Sequence, residues 1–270
     1  MSRLDATFAA LRAEGRTGLV TYVTAGDPDF DRSALVIEAL DRAGADVLEV
    51  GVPFSDPVAD GPVIERAVAR ARAGGATLST TIDLVARVRP AVRAPIVLFT
   101  YVNPVLLMGE RAFAERAAAA GVDGVLALDL PIEEADGFRR TLASAGLDTI
   151  FLLSPTTTDE RIERAAALGR GFLYVISRLG VTGARATLSE GAGDLVARIR
   201  LKTTLPVALG FGLSKPEHVR QAGQWAEAAV VGSALVSVVE EWGGSPELVS
   251  RVEGFVRWLK GPAGGRTGAA

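Results

Sequence analysis

The chain has no cysteine, one histidine and three lysines among its 270 residues. Without cysteine it can form no disulfide bond and use no thiol nucleophile. One histidine and no cysteine argue against a dedicated transition-metal site, which is normally built from several such side chains. Lys202, Lys215 and Lys260 lie outside the predicted strands, which argues against an imine-forming lysine at a strand end. The chemistry must therefore rest largely on carboxylates, hydroxyls and backbone amides.

Other absences restrict the location and the partners of the protein. Although 49% of the residues are hydrophobic, no uninterrupted apolar stretch is long enough to cross a bilayer. The start, Met1-Ser-Arg-Leu-Asp, lacks the apolar block of a signal peptide. A net charge of -3 gives no reason to expect nucleic acid or an anionic membrane as a partner. No dinucleotide-binding GxGxxG opens the first βα unit, and no P-loop is present. We expect a globular protein of the cytoplasm.

Short apolar runs alternate with helical patterns along the chain. The predicted strands are Leu19–Thr24, Val47–Gly51, Ile96–Tyr101, Gly124–Leu128, Thr149–Leu153, Phe172–Ile176, Pro206–Leu209 and Ala229–Val231. The predicted helices between them are Arg32–Arg42, Ile82–Arg89, Arg111–Ala120, Glu133–Ala145 and Asp159–Leu168. Apolar strands alternating with helices are typical of a parallel sheet that is covered on both faces. Eight such units predict an α/β fold, a single (β/α)₈ TIM barrel. Strand counting leaves an open doubly wound sheet as the alternative.

Three further helices are predicted outside the repeating units. Residues 3–14 predict a helix before the first strand, and Val63–Ala73 predicts an extra helix after the second strand. Pro246–Lys260 predicts a last helix. We expect residues 1–260 to form one catalytic domain and the Gly/Pro-rich residues 261–270 to be a disordered tail. His218 follows Pro216 in a helical stretch, and we expect it on the solvated surface.

Glu49 is a carboxylate inside an apolar predicted strand. Because side chains alternate along a strand, Val47, Glu49 and Gly51 share one face, which we expect to point into the barrel. Burying a charge there costs free energy, and proteins accept this cost most readily where a carboxylate does chemistry. Active sites of these barrels lie at the carboxyl ends of the strands. A buried ion pair, or a carboxylate bonded to backbone N–H groups, remains the structural alternative for Glu49.

Asp60 lies in the loop that follows this strand. It stands in the sequence Asp-Gly-Pro, which is common turn chemistry. An aspartate here could simply cap the helix that is predicted to start near Pro62. Asp56, in Ser-Asp-Pro, has the same alternative explanation. On its own, Asp60 is therefore better explained as a helix cap than as a catalytic group.

Glycines follow several of the later predicted strands. Gly210-Phe-Gly212 follows the seventh strand, and Gly232-Ser233 follows the eighth and opens a helix. Backbone N–H groups at a helix N-terminus can bind a phosphate without a lysine. Together with Thr182-Gly183 after the sixth strand, these glycines predict a phosphate site, although ordinary turns are the alternative. Residues 178–193 form a long glycine-containing segment that is either a lid or a floppy insertion.

The segment Leu48-Glu-Val-Gly-Val-Pro-Phe-Ser-Asp-Pro-Val-Ala-Asp-Gly-Pro62 resembles, nearly residue for residue, the signature of the tryptophan synthase alpha chain family. Further motifs that carry the resemblance are Thr21-Tyr-Val-Thr-Ala-Gly-Asp-Pro28, Asp129-Leu-Pro131, Ser154-Pro-Thr-Thr157, Tyr174 with Gly180-Val-Thr-Gly183, and Gly210-Phe-Gly212. The resemblance covers residues 19–241, which is most of the predicted barrel.

The resemblance implies a role for particular residues. The two catalytic carboxylates of the family fall on Glu49 and Asp60. Its phosphate site falls on Gly183, Gly212, Gly232 and Ser233, and the threonine of its mobile loop is Thr182. Its indole pocket falls on Tyr22, Phe99, Tyr101, Leu126, Leu152, Tyr174 and Phe211. Burial should raise the pKa of Glu49, whereas Asp60, in a more polar loop, should stay ionised.

The family also implies a reaction: reversible retro-aldol cleavage of indole-3-glycerol phosphate to indole and glyceraldehyde 3-phosphate. Protonating C3 of the indole makes the ring the electron sink, so neither a lysine imine nor a metal is needed. Related barrels that form indole-glycerol phosphate would be expected to use a lysine at a strand end, and metal-dependent epimerases would need several histidines. The histidine-pathway isomerase would want acids at the ends of strands one and five, but strand five here ends in Ser154-Pro155.

The family further implies a partner. It is a tryptophan synthase beta chain that carries pyridoxal phosphate, in an α₂β₂ heterotetramer, and we expect no cofactor in this chain. The loop 53–57 is the expected docking element. Two alternatives remain: a self-sufficient lyase that releases free indole, and a non-catalytic regulatory subunit. Retention of both Glu49 and Asp60 argues against the second.

Overall fold

A computed structural model of the chain describes residues 1–176, 191–210 and 212–261. The strands are β1 (Gly18–Thr24), β2 (Val47–Gly51), β3 (Ile96–Thr100), β4 (Gly124–Ala127), β5 (Asp148–Thr149), β6 (Phe151–Leu153), β7 (Leu173–Ile176), β8 (Val207–Gly210) and β9 (Ala228–Val231). The helices are α1 (Arg3–Ala13), α2 (Phe30–Arg42), α3 (Pro62–Ala73), α4 (Leu78–Val88), α5 (Val102–Met108), α6 (Glu110–Ala119), α7 (Ala135–Ser144), α8 (Asp159–Leu168), α9 (Gly191–Arg200), α10 (Pro216–Ala222), α11 (Ser233–Trp242) and α12 (Leu248–Lys260). Most of the expected lid and the residues after Gly261 lie outside these ranges. Within the described ranges, no helix is long and apolar enough to span a membrane.

The sheet closes on itself through a strand that is interrupted at one residue. All pairings are parallel, in the order β5-β4-β3-β2-β1-β9-β8-β7-β6. Only Ile150 separates β5 from β6, and its N–H donates to the carbonyl oxygen of Val125 at 2.9 Å. β5 and β6 therefore act as one strand of the barrel, which pairs with β4 through β5 and with β7 through β6. The predicted eight-stranded (β/α)₈ barrel is confirmed, and an open doubly wound sheet is excluded.

The barrel register puts Glu49 on the inner face of β2. Val47, two residues before it, belongs to the apolar cluster that fills the barrel interior. Leu48 and Val50 belong instead to the cluster between the strands and the surrounding helices. On the neighbouring strand Tyr22 lies directly beside Glu49. The inward direction predicted for Glu49 is confirmed.

Helix α1 closes the amino-terminal end of the barrel, which we call the floor. Leu4, Phe8 and Leu11 are buried in the interior cluster, and the rings of Phe8 and Phe172 have centroids 5.4 Å apart. Ser2 and the residue three positions later in the helix cap its N-terminus reciprocally. The predicted additional N-terminal helix is confirmed. Because the floor is closed, a ligand must enter at the opposite end, which we call the mouth.

Carboxylates stiffen the floor at several strand starts. Asp46, Asp123 and Glu227 each stand immediately before a strand, β2, β4 and β9 respectively. Each accepts the backbone N–H near the start of the neighbouring strand: Asp46 from Leu19, Asp123 from Ile96 and Glu227 from Val207, all at 2.8 Å. A hydrogen bond to a charged acceptor is stronger than one between neutral groups. These bonds hold strand pairs together at the end away from the mouth.

Two helices lie near the mouth beside the regular βα units. The extra helix after the second strand is confirmed as α3, which begins at Pro62. Helix α5 (Val102–Met108) was not predicted from the sequence. Its Pro104 lies in the first turn, where a missing N–H costs little, and Gly109 ends it with φ at +87°. Leu106 and Leu107 on this helix are 56% and 82% exposed.

Candidate active site

A cavity opens at the mouth of the barrel. It is lined by Tyr22, Glu49, Ala59, Asp60, Ile64, Phe99, Leu128, Leu152, Tyr174, Ile176, Gly212, Leu213, Val230, Gly232, Ser233 and Ala234. Both carboxylates singled out in the sequence line this cavity, and so do seven other residues that the resemblance implied. The walls are mostly apolar, so a polar group in the cavity meets few competing partners.

Glu49 is the most unusual side chain of the cavity. Its relative exposure is 0%, and neither carboxylate oxygen has a hydrogen-bond partner among the residues that the structure describes. Burial raises its pKa from an ordinary 4.5 to about 8. Within the described part of the chain, the alternatives of an ion pair and of bonds to backbone N–H groups are therefore excluded. At neutral pH Glu49 is mainly a neutral carboxyl group that holds a transferable proton.

Asp60 does not cap α3. The N-cap residue is Gly61, and no side chain makes a capping bond there. Asp60 is only 8% exposed, so its loop is less polar than we expected. Burial, and then the charge of Glu65, raise its pKa to about 6, against the lowering effect of a hydrogen bond with Tyr101. Asp60 is nevertheless mainly ionised at neutral pH, and the predicted order of the two carboxyl pKa values holds.

Two tyrosines of the cavity wall, the buried Tyr22 and the partly buried Tyr174, each pack against a glycine. An added Cβ at Gly51 would lie 2.5 Å from Cζ of Tyr22 and closer still to its hydroxyl, and one at Gly210 would lie 2.7 Å from the hydroxyl of Tyr174. Such distances are shorter than real contacts, so each phenol needs the glycine beneath it. Neither glycine stands out in the sequence for this function, because the tyrosine that each one accommodates lies on a different strand.

Two residues of the implied indole pocket do not line the cavity. Leu126 is fully buried one layer deeper, in the interior cluster that α1 covers. Leu128, on the same face two residues later, lines the cavity instead. Tyr101 is 3% exposed and its hydroxyl accepts a hydrogen bond from the Ala59 N–H at 3.4 Å. Its ring also packs at 5.2 Å on Phe54, so Tyr101 supports the loop that carries Asp60.

The start of α11 forms the polar end of the cavity. Gly232 is the N-cap residue and makes no side-chain cap, while its carbonyl accepts from Leu235 at 2.8 Å and Val236 at 3.0 Å. Gly232, Ser233 and the next residue all line the cavity. The first N–H groups of a helix carry a partial positive charge and attract anions. Gly212, with φ at +77°, adds a second backbone segment to the lining in a conformation that favours glycine.

Thr182, Gly183 and Phe211, together with most of the expected lid, fall on residues outside the described ranges. Their assignments therefore stay predictions. They follow β7 and β8, whose carboxyl ends lie at the mouth.

The expectation for His218 was wrong. The side chain is buried, with 5% exposure, and its Nδ1 accepts a hydrogen bond from the Ser214 N–H at 3.2 Å. It belongs to the buried face of α10 with Val219 and Ala222. Pro216 marked the helix start correctly but gave no information about which face the neighbouring residues present.

Sequence reasoning missed further wall residues. These are Ala59, Ile64, Leu128, Ile176, Leu213, Val230 and Ala234. Three of them lie in or directly after a strand and two positions from a residue that was identified: Ile176 after Tyr174, Leu128 after Leu126, and Val230 before Gly232. Because strand side chains alternate, this spacing puts them on the same face. Extending each identified strand position by two residues could have found them.

The arrangement combines three chemical capabilities in one apolar cavity. Glu49 can give and take a proton, Asp60 offers a negative charge, and the start of α11 offers a site for an anion. Within the described residues, no group of three or more His, Cys, Asp and Glu side chains could hold a metal ion. The geometry suits a substrate with an apolar ring and an anionic end.

Comparisons with known proteins agree with this geometry. The family model for the tryptophan synthase alpha chain matches residues 8–260. The alpha chain of Solibacter usitatus is 46% identical over 266 residues, covering 98% of this chain and 100% of that one. The alpha chain of Roseiflexus is 48% identical over 264 residues, covering 97% and 100%. The structure of Mycobacterium tuberculosis tryptophan synthase superposes with a TM-score of 0.90 at 38% identity, covering 99% of each chain. The chain belongs to the tryptophan synthase alpha chain family.

Proposed function

We propose that this chain cleaves indole-3-glycerol phosphate to indole and glyceraldehyde 3-phosphate by a reversible retro-aldol reaction. The observation that carries the proposal is the carboxyl group of Glu49, which is buried without a hydrogen-bond partner among the described residues and shares its cavity with Asp60. An unpaired buried carboxyl group costs free energy, and that cost is understandable if the missing partner is the substrate. Membership of a tryptophan synthase family supports the same reaction.

In the proposed mechanism Glu49 first acts as an acid. Its proton moves to C3 of the indole ring, which becomes a cation with the charge centred on the ring nitrogen. Asp60 accepts a hydrogen bond from the ring N–H and stabilises this positive charge. The pKa of about 8 for Glu49 and of about 6 for Asp60 put each group in the required protonation state near neutrality.

Glu49 then acts as a base. Its carboxylate accepts the proton of the glycerol hydroxyl next to the breaking bond. The O–H electron pair forms the aldehyde C=O bond, and the electrons of the carbon–carbon bond return to the ring and restore the aromaticity of indole. Glu49 ends the cycle protonated, as it began. No redox step occurs, and the reaction needs no cofactor in this chain.

The phosphate would bind at the polar end of the cavity. The N–H groups at the start of α11, with Gly212 and Ser233 beside them, are the described part of the proposed site. Gly183 and Thr182, which the resemblance implies, are proposed to complete the phosphate site. Tyr22, Phe99, Leu152 and Tyr174 offer the apolar walls for the indole ring, and Phe211 is proposed to join them.

We further propose that the chain works with a tryptophan synthase beta chain that holds pyridoxal phosphate, as an α₂β₂ assembly in the cytoplasm. Val58 is 80% exposed in the loop that leads to Asp60, and Leu107 on α5 is 82% exposed. Both follow strands whose carboxyl ends lie at the mouth, so apolar surface is available there for a partner. In this proposal residues 1–260 act as a single catalytic domain.

One assay tests the reaction and its partner together. Purified chain is given indole-3-glycerol phosphate, and indole formation is followed with and without a tryptophan synthase beta chain. We expect slow turnover alone and faster turnover with the beta chain. Equal turnover in both cases would favour the self-sufficient lyase. No turnover in either case, with glycerol phosphate still bound, would favour the regulatory subunit.

A further inference from the structure

A network of two arginines and two carboxylates joins three elements around the mouth. Arg70 on α3 donates two hydrogen bonds to Asp27, from Nε at 2.8 Å and from a terminal nitrogen at 3.1 Å. Its other terminal nitrogen donates to Glu240 on α11 at 2.8 Å. Arg66, one turn earlier on α3, donates two bonds to the same Glu240 at 2.7 and 2.8 Å. Arg70 is therefore the member that contacts both carboxylates.

Burial makes the Arg70 contact to Asp27 the critical one. The Asp27 side chain is 2% exposed, whereas those of Arg70 and Glu240 are 33% and 29% exposed. An almost fully buried carboxylate needs a partner with matching geometry. The planar guanidinium supplies a fork to Asp27 and a third donor to Glu240 at once, which the single ammonium group of a lysine cannot do.

The joined elements each carry part of the candidate site. Asp27 lies in the turn after β1, the strand that carries Tyr22. Helix α3 begins at Pro62, two residues after Asp60, and α11 begins at Ser233, at the polar end of the cavity. A bond between α3 and α11 thus fixes the carboxylate side of the cavity relative to its anion-binding end.

Apolar packing between the same helices is limited. The cluster that contains Tyr22 includes Ile64, Ala67 and Val68 of α3, but only Val236 of α11. The hydrogen bonds of Arg70 add a directional contact to this packing, and they favour one relative position of α3 and α11.

We propose that Arg70 is a positioning residue of this active site, which sets the distance between Asp60 and the anion-binding start of α11 by holding α3, α11 and the Asp27 turn together. The inference rests on the proposed function, in which the cavity is the substrate site. Arg70 does not touch the substrate. It acts because a substrate held at its anionic end must meet both carboxylates at its ring end, and displacements of about 1 Å can cost on the order of 100-fold in rate.

The test compares Arg70→Gln with Arg66→Gln, a matched control on the same helix that contacts Glu240 but not Asp27. For Arg70→Gln we expect kcat/KM for indole-3-glycerol phosphate to fall by about 10- to 100-fold, with weaker binding of glycerol phosphate in calorimetry. Arg66→Gln should change both by less than about threefold, because exposed pairs contribute little. Arg70→Lys should resemble Arg70→Gln, since it keeps the charge but loses the fork.

A readout that does not depend on turnover separates this inference from the proposed reaction. Hydrogen exchange of the ligand-free protein should be faster in Arg70→Gln than in Arg66→Gln, both at the start of α3 and at the start of α11. If the wild type does not cleave the substrate, the proposed function fails, while the exchange result still tests the positioning role. If Arg70→Gln does not fold, Glu240→Gln on the partly exposed partner tests the same link.

Two outcomes would overturn the inference. One is a loss of thermal stability in Arg70→Gln with kcat/KM and glycerol phosphate affinity equal to those of Arg66→Gln, which would show a purely structural ion pair. The other is faster exchange in α3 alone, which would show that Arg70 does not hold α11. For Glu240→Gln, unchanged exchange at the start of α11 would have the same meaning.

Discussion

Tyr22 and Gly51 lie on neighbouring strands, and the ring of Tyr22 occupies the space that a side chain at position 51 would fill. A Cβ added at Gly51 would lie 2.5 Å from Cζ of Tyr22, which is shorter than non-bonded carbons approach. The phenol of Tyr22 can therefore lie along the wall of the cavity only because position 51 has no side chain. The motif of residues 48–62 thus contains a glycine that makes room for a side chain on a different strand.

We expect Gly51→Ala to destabilise the protein by about 1–3 kcal/mol through overpacking. Gly51→Ala combined with Tyr22→Leu should recover part of the loss, because leucine lacks the atoms that collide. Gly137→Ala is the control, since nothing lies within 4 Å of the added Cβ in α7. Urea unfolding measures all three variants. Equal stability of the Gly51 and Gly137 variants would contradict this packing relationship.

Glu49→Gln should fold and bind glycerol phosphate with wild-type affinity but lose nearly all cleavage. The amide has the shape of the carboxyl group and cannot transfer its proton. The contribution of general acid–base catalysis is typically about 10²- to 10⁴-fold, and kcat for indole-3-glycerol phosphate should fall by at least this much. Near-normal turnover by this variant would rule out Glu49 as the proton donor.

The pH dependence of kcat/KM should be bell-shaped. Asp60 must be ionised, and burial raises its pKa to about 6, so activity should fall below that pH. Glu49 must be protonated, and burial raises its pKa to about 8, so activity should fall above that pH. Asp60→Asn should lower activity throughout and remove the acidic limb that Asp60 causes. Persistence of the full acidic limb in Asp60→Asn would mean that another group produces it.

The stability of Glu49→Gln relative to the wild type should rise with pH. Folding raises the pKa of Glu49 from 4.5 to about 8, so between these values the folded wild type binds a proton that the unfolded chain has lost. The free energy of unfolding that Glu49 contributes therefore falls as pH rises through this window. The variant lacks this effect, so its free energy of unfolding should increase by on the order of a few kcal/mol relative to that of the wild type. Urea unfolding at about pH 5 and about pH 8 measures it, and a pH-independent difference would contradict the raised pKa.

Leu107→Asp should weaken activation by a beta chain without changing the basal activity of the isolated chain. A charge on the apolar surface of α5 should raise the beta-chain concentration for half-maximal activation by roughly tenfold, equivalent to about 1.4 kcal/mol. Asp56→Ala, in the expected docking loop, should also weaken activation more than substrate binding. Leu201→Asp is the control, because Leu201 is 83% exposed but follows α9 at the floor. Equal activation of the Leu107 and Leu201 variants would move the partner surface elsewhere.

The sequence predicted the elements whose limits are set locally. Helix α8 begins and ends where expected, because Thr158 caps its start and Gly169 follows its end. The strands lie within two residues of their predicted limits, since apolar runs end at turn residues. Helix α5 was missed because Pro104 resembles a turn signal, although a proline in the first turn is compatible with a helix.

Burial in loops and on short helices could not be predicted in the same way. Asp60 is more buried than its Asp-Gly-Pro sequence suggested, because it lines the cavity together with Glu49 and Ile64. His218 was misplaced because α10 has only seven residues, too few for a reliable periodicity. Leu126 was placed in the cavity by resemblance, whereas in the structure it belongs to the interior cluster with Leu4 and Phe8 of α1.

The proton that Glu49 retains also sets the charge that an incoming ligand meets. If both carboxyl groups of the cavity were ionised, a phosphate ester carrying two negative charges would be repelled by two like charges across an apolar medium that screens them weakly. With Glu49 neutral, only Asp60 would repel the ligand, and the positive end of α11 would attract its phosphate. The burial that makes Glu49 an acid would therefore also let an anion enter a cavity that contains two carboxyl groups.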